Sequence, residues 1–327
     1  MDVIKYLLVF SFAFLILPDI SGAVDTSRPG PEDKPTDVNI RVFVLDIDEI
    51  IDAEQSFAAN LFLQAEWKDP RLGQPGSTLK YDLDEIWNPN LQIVNRQKTF
   101  KSLPDIVEVD EVGNVIYRQR IFGKFSQPLD LRKFPMDTQI LNFEIISVGN
   151  TPEMVNLIKN NSGINDKFSL PNWHIVNWEL VNHNFKFLPD VPAKEGLIFS
   201  ITAKRYVHYY IFKFIIPLLL IVFMSWIVFW IDPTDYASQI SVAITSMLTL
   251  IAYQYLVGSS LPRVPYLTRL DELMFLSTAM VFVTLVEVVI TSVLTKRDKV
   301  DLARKFDYHC RYLFPAFFLF IIILPFI

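Results

Sequence analysis

Cysteine is nearly absent: Cys310 is the 1 cysteine in 327 residues. No intrachain disulfide can form, so an exported part of this chain must be held by its core alone. Histidine is scarce too. His174, His183, His208 and His309 show no metal-ligand spacing among themselves or with Cys310, and neither a metal nor another cofactor is expected. A basic excess is also missing. Against 30 Lys and Arg stand 36 Asp and Glu, a net charge of −6, which argues against a nucleic-acid partner and the basic face it requires. There is no glycine-rich phosphate loop, no Gly-x-Ser-x-Gly elbow and no residue repeat of fixed period. An enzyme reading therefore has no positive support.

Apolar material is abundant, at 51% of residues, but unevenly placed. Residues 1–23 read as a secretory signal peptide. Lys5 supplies the charged start, Tyr6 to Leu17 a short apolar core, and Ser21-Gly22-Ala23 a small-residue cleavage site. The alternative is a short membrane anchor. Residues 24–205 mix charged and apolar groups as a water-soluble domain does, and residues 206–327 form a membrane domain. The latter holds four apolar stretches, near 208–230, 239–257, 272–294 and 310–327, each close to the roughly 20 residues a bilayer needs. Lys296, Arg297, Lys299, Arg304, Lys305 and Arg311 form a basic cluster between the third and fourth, which should stay cytoplasmic. The expected product is a multi-pass protein of the plasma (inner) membrane, in contact with its lipids, whose amino-terminal domain is extracellular or periplasmic. Pro217 interrupts the first span, which neighbours must compensate. Glu287, in the third, reads as a hydrogen bond to a neighbouring helix, because a single acid without a partner rarely relays protons.

The second span carries the most informative pattern. Ser238, Ser241, Thr245, Leu248, Ala252, Tyr255 and Ser259 recur at steps of three and four, and so share one helical face. A membrane helix with a hydroxyl-rich face packs that face on other helices or presents it to water. This stripe suggests a water-filled pore in a closed ring of subunits.

The soluble part is strand-like from Val38 to Arg205. Short runs such as Arg41 to Ile47 and Ala59 to Ala65 are punctuated by Asp69-Pro70, Asn88-Pro89 and Gly149-Asn150. That pattern predicts an immunoglobulin-like β-sandwich. The acidic run Asp46, Asp48, Glu49, Asp52 and Glu54 reads as a solvated loop.

Several motifs then coincide. Trp67-Lys68-Asp69-Pro70-Arg71-Leu72, Trp87-Asn88-Pro89 and Asp130 to Gln139, with Phe134-Pro135 and Asp137 in its core, resemble segments of the pentameric ligand-gated ion channels, the Cys-loop receptor superfamily. Arg205 before the first span, Pro217 within it and Leu261-Pro262 after the second fit the same pattern. Gln127 and Leu141 stand where animal members place the loop cysteines, so the likeness is to prokaryotic members.

The resemblance implies an all-β extracellular sandwich on a four-helix transmembrane bundle, five copies forming a homopentamer around a central pore. It implies a channel for monovalent ions, opened by a small-molecule agonist, amine or other, or by protons. The seven-residue stripe would line the pore, with Leu248 and Tyr255 as constrictions and Ser241 and Thr245 replacing part of an ion's hydration. Asp235 and Ser241 would set selectivity. Asp232 and Asp235 are acidic and the second span has no Lys or Arg, so cations are expected to pass. Phe134, Pro135, Asp137, Arg205, Pro262 and Tyr266 would couple the domains, and neutralising Arg205 should leave an assembly that fails to open. Phe62, Tyr117, Phe185 and Phe187 would line the agonist site, with Tyr117 on the complementary side and a capping loop from Leu188 to Gly196, while Val94 and Val148 stand where aromatic rings are expected. Carboxylates of the soluble domain and His208 are the candidate proton sensors. An anion channel of the same kind, a non-channel membrane sensor or a transporter are the alternatives; the last two would show no unitary currents.

Overall fold

The computed structural model describes residues 25–187, 193–258, 261 and 263–323. The signal-like residues 1–23, the tip of the Leu188 to Gly196 loop, Ser259 and Pro262 lie outside or partly outside them. Twelve strands run in order: β1 (Thr36–Ile51), β2 (Ser56–Lys68), β3 (Leu79–Asp82), β4 (Leu91–Ile93), β5 (Arg96–Lys101), β6 (Ile106–Val109), β7 (Asn114–Ser126), β8 (Thr138–Ser147), β9 (Val155–Lys159), β10 (Gly163–Ile164), β11 (Trp173–Phe185) and β12 (Lys194–Arg205). One sheet has the order β10-β1-β2-β7-β6-β3, with β5 also on β7 and β9 also on β1; the other is β11-β12-β8-β4. Among the described residues β9 and β10 pair in parallel, both with β1, and the other pairs are antiparallel.

The long strands β1, β7 and β8 bury residues largely in alternation, since successive side chains point to opposite faces. Val38, Ile40, Val42 and Val44 of β1 face the core, as do Leu61 and Leu63 of β2. Phe57 and Phe125 from the first sheet meet Phe143 and Phe199 from the second. Ring centroids lie 5.4 Å apart for Phe57–Phe125, 5.3 Å for Phe57–Phe143 and 4.9 Å for Phe125–Phe143. Each such side chain stabilises the sandwich by about 1.5–3 kcal/mol relative to exposure. Gly123 on β7 is at φ +143°, and a Cβ there would lie 2.0 Å from Lys98 O. Only glycine lets β5 pack on β7 at this point.

The acidic run does not form a solvated loop. Asp46, Asp48 and Glu49 lie on β1, which pairs with β2 through two register shifts, and Asp52 and Glu54 form the turn between the two strands. The apolar content of Phe43 to Ile51 and the pairing partner in β2 outweigh the charge.

Four helices follow: α1 (His208–Trp230), α2 (Tyr236–Gly258), α3 (Arg269–Lys296) and α4 (Val300–Ile323). Of these, α1, α2 and α3 are long and apolar enough to cross a membrane. In α4 the helix starts ten residues before the apolar stretch, so Arg304, Lys305 and Arg311 lie on a helix rather than in a loop. A wide π-type turn spans Ile211–Ile215 just before Pro217, as expected where a proline leaves backbone groups unpaired. The Tyr253 hydroxyl of α2 donates to Phe214 O in this turn at 2.6 Å. Leu218, Val222, Trp226 and Phe229 of α1 pack with Ala243 and Leu250 of α2, Met280 and Val288 of α3, and Phe314 and Phe318 of α4. A capping box starts α3, with the Asp271 N–H donating to Thr268 Oγ1 at 3.2 Å and the Thr268 N–H to Asp271 Oδ2 at 2.9 Å.

Candidate pore helix and coupling interface

One face of α2 is committed to its own bundle. Gln239, Ala243, Ser246, Leu250 and Val257 are buried there. The stripe residues lie on the other side. Ser241, Thr245 and Ala252 are exposed and Ser238 is half-buried. Leu248 is 62% exposed and Tyr255 86%, the latter an unusual value for an aromatic side chain on an apolar helix. Ile244, Ile251 and Leu256 make a neighbouring exposed apolar face. The Thr245 and Thr249 hydroxyls donate to the carbonyls of Ser241 and Thr245, each at 2.7 Å. Their oxygens remain free to accept, so the helix satisfies its hydroxyl protons internally and presents lone pairs outward.

At the start of α2, Asp235 is exposed and accepts from the Ser238 N–H at 3.3 Å, as a residue preceding a helix does. Asp232 is not a free charge. It accepts from Thr234 and pairs with Arg304 at 3.0 Å. The Thr234 backbone N–H first, then its hydroxyl and Arg304, hold the Asp232 carboxyl below its usual range.

The base of the sandwich is built around one cation. Arg205, at the end of β12, is 4% exposed. Its Nε donates to Asp137 Oδ1 at 2.8 Å and its Nη2 to Asp137 Oδ2 at 3.1 Å. On its other side Nη1 and Nη2 reach Asp52 Oδ2 and Oδ1, each at 2.9 Å, and Nη1 lies 3.3 Å from the Tyr210 hydroxyl. The guanidinium lies 4.1 Å from the Trp173 ring centre and 4.8 Å from that of Phe134. Burial alone would lower the Arg205 pKa; the hydrogen bonds and charges of Asp137 and Asp52 outweigh it and hold the pKa above its ordinary value. Arg205 therefore ties β8, the β1–β2 turn and the start of α1 into one unit, with fork geometry that a lysine cannot reproduce.

The Asp130 to Gln139 loop rests directly on the α2–α3 connection. The Leu131 N–H donates to the Tyr266 hydroxyl at 3.0 Å, which lies 3.3 Å from Leu129 O. Arg132 covers the Tyr266 ring at 5.3 Å, and the Arg269 N–H donates to Arg132 O at 3.1 Å. Gln139 braces the loop through Asp130 O at 2.8 Å and Asp137 Oδ2 at 2.7 Å. Phe134, Asp137 and Arg205 are thus brought together, with Tyr266 tied to the same loop at Leu131 and Arg132. Asp52, Trp173 and Tyr210 join them without having been singled out in the sequence. The signal that existed for Asp52 was its place in the acidic run.

The four aromatic candidates for a ligand site do not converge. Phe185 and Phe187 stack at 6.0 Å. Phe187 borders a cavity of about 350 Å³ with Val94, Arg96, Ile146, Val148 and Lys194. Phe62 is half-buried on β2, opposite in facing to Leu61 and Leu63. Tyr117 lies on β7 and points inward. It pairs across from Ala65, whose side chain faces the core, and is 7% exposed. Its hydroxyl bonds Asp105 at 2.5 Å, and it lines an internal cavity with Leu63, Lys101 and Gln119. Burial, then the Asp105 carboxylate, push the Tyr117 phenol above its usual value. His208, the candidate titrating histidine, is exposed at the start of α1. Among the described residues, no group of three or more His, Cys, Asp or Glu side chains is placed to hold a metal ion.

A strand-built domain followed by membrane-type helices is also what the comparisons with known proteins return. The model of the neurotransmitter-gated ion-channel ligand binding domain matches residues 24–205, and that of the neurotransmitter-gated ion-channel transmembrane region matches residues 214–304. The chain belongs to the neurotransmitter-gated ion-channel family and is a gated ion channel with several membrane-spanning helices. It is 28% identical over 310 residues to the proton-gated ion channel of Gloeobacter violaceus (strain ATCC 29082 / PCC 7421), which covers 92% of this chain and 86% of that protein. It is also 28% identical over 284 residues to the gamma-aminobutyric acid receptor subunit rho-3 of Rattus norvegicus, covering 83% of this chain and 61% of that subunit.

Proposed function

We propose that five copies of this chain surround a pore lined by α2 and that the pore passes monovalent cations. The observation that carries the reading is the division of α2 into a buried face and an exposed stripe with Leu248 and Tyr255 at its middle and outer parts. In a ring, the exposed apolar face of Ile244, Ile251 and Leu256 packs between subunits, and the stripe faces water. Leu248 makes a constriction that closes by dewetting, and Tyr255 narrows the outer mouth. Asp232 is already neutralised by Arg304, so Asp235 supplies the negative charge at the inner entrance. Residues 24–205 act as the agonist-sensing domain, residues 206–327 as the pore domain, and residues 1–23 as the signal that exports the first.

Opening is transmitted through the unit built on Arg205. A tilt of the sandwich moves Asp137, Asp52 and the Tyr266 contact together, and with them the outer ends of α1 and α2. The cavity beside Phe187 is lined by Arg96 and Lys194, with no carboxylate among the described residues that line it. That chemistry favours a neutral or anionic agonist over an amine, which two like charges would repel. The relative named as a proton-gated channel makes protons the second trigger to test.

The experiment is to reconstitute the purified full-length chain in planar bilayers under a NaCl gradient and record unitary currents during pH steps and agonist additions. Unitary currents that reverse toward the sodium equilibrium potential are expected. Reversal toward the chloride potential overturns the cation assignment, and the absence of unitary events under every condition overturns the channel architecture proposed for α2.

A further inference from the structure

Three side chains from three helices meet at the inner end of the bundle, with no cationic side chain among the described residues between them. Gln239 of α2, Glu287 of α3 and Asp307 of α4 are 0%, 3% and 1% exposed. Both Glu287 carboxyl oxygens, Asp307 Oδ1 and Gln239 Oε1 have no hydrogen-bond donor among the described residues. The Glu287 and Asp307 carboxyls face each other within side-chain hydrogen-bond reach. Gln239 Nε2 lies 3.3 Å from Asp307 Oδ2 and 3.2 Å from each of Val228 O and Ile231 O, at the end of α1.

The surrounding groups do not supply a counter-charge in contact. Arg311 of α4 donates from Nε to Phe229 O at 2.8 Å and covers the Trp230 ring. Arg304 is engaged by Asp232 on the α1–α2 turn, a second negative charge on that side. Cys310 of α4 is buried. The α3 hydroxyls of Thr284, Thr291 and Ser292 donate to carbonyls of their own helix. Two ionised carboxylates cannot share such a site, because burial and their mutual repulsion both disfavour the second charge. One proton between them removes one charge and supplies the missing hydrogen bond.

We propose that Glu287 and Asp307 form a proton-binding site, a carboxyl pair that holds one shared proton and fastens α3 to α4 and, through Gln239, to the turn that begins the pore helix. Loss of the proton sets two like charges against each other and loosens Gln239 from Val228 O and Ile231 O. The site itself stands on side-chain geometry; its effect on current rests on the pore reading above.

The test uses full-length channel in liposomes, with infrared difference spectra recorded as pH is raised. Wild type is expected to lose one protonated-carboxyl C=O band, sensitive to D₂O, and Glu287→Gln and Asp307→Asn each to lack it. The exchanged pair, Glu287→Asp with Asp307→Glu, keeps the carboxyls and should keep the band if the single variants fail to fold. A wild type without the band overturns the proposal, as does a band that persists in both single variants. Stabilisation of wild type, but not of the variants, by added Na⁺ or Ca²⁺ without a band assigns a cation site instead and also overturns it. In the same preparations, the pH midpoint of the current should move by at least tenfold in proton concentration in the single variants. An unmoved midpoint with the band present overturns the link to the pore helix. Loss of all current from a wild type that retains the band counts against the pore reading and leaves the proton site supported.

Discussion

Arg205 and Glu287 are both ionisable groups taken out of water, one beneath the sandwich and the other near the opposite end of the helices, yet their surroundings differ in kind. Around Arg205, two carboxylates, a tyrosine hydroxyl and aromatic faces satisfy the guanidinium, and one cation is set against two anions. Around Glu287 a second acid and an amide converge, and four oxygen atoms are left without donors. The first arrangement is a fixed joint. Its cation is held by both carboxylates at once, so its geometry is costly to disturb. The second is incomplete without a proton, so its packing depends on conditions. A channel that must hold its two domains together while its inner end responds has use for both.

The strongest way to break this comparison is Arg205→Gln. It strips Asp137 and Asp52 of their cation and leaves Asp137 only the Gln139 amide, a cost of about 3–5 kcal/mol. Thermal unfolding of the assembled channel should fall accordingly, so the simple expectation of normal assembly without opening gives way to a joint loss. Adding Asp137→Asn removes one stranded charge and should recover part of the stability. Asp52→Asn is the smaller cut. It removes one side of the fork while Asp137 stays engaged, at about 1.5–3 kcal/mol, and should slow opening more than it lowers assembly. At the other cluster Asp307→Leu removes one carboxyl of the pair and the acceptor of Gln239 Nε2 and leaves Glu287 buried without its partner; a loss of about 1–3 kcal/mol is expected in the same unfolding measurement. No loss, or a gain, would mean that the acid pair does not fasten the helices. Asp232→Asn is the weakest change, because its pair with Arg304 is in water. The Asp232 carboxyl is held below its usual range, so what it contributes is present above the ordinary carboxylate pKa and fades as pH falls through the lowered value. Its substitution should leave unfolding near neutral pH unchanged.

The sequence and the structure agree where a pattern is local. Period-two burial in β1 and β2 and the three-and-four spacing from Ser241 to Tyr255 are properties of neighbouring residues, and the backbone repeats them directly. The meeting of Asp137 with Arg205 was legible through the family resemblance rather than through spacing. What the sequence hid depends on distant chain segments. Asp52 reads as one of several solvated acids until the β1–β2 turn brings it under β12. Glu287 reads as a single acid because Asp307 lies on a separate helix beyond a basic turn. Tyr117 reads as one ring of a ligand site, and its burial shows only once the register of β2 with β7 sets it opposite Ala65. Periodicity identifies the faces of an element but not which partner covers each face, and all three residues turn on that second question.

The central claim is that the exposed stripe of α2 faces the ion path. Cysteines placed singly from 238 to 257 in a Cys310→Ala background, with current recorded while a charged thiol reagent is applied, test it most directly. The account predicts that modification at 241, 245, 248, 252 and 255 alters conduction, and that positions 239, 243, 246, 250 and 257 are silent. Equal sensitivity on both faces, or current changes confined to the buried positions, would contradict it.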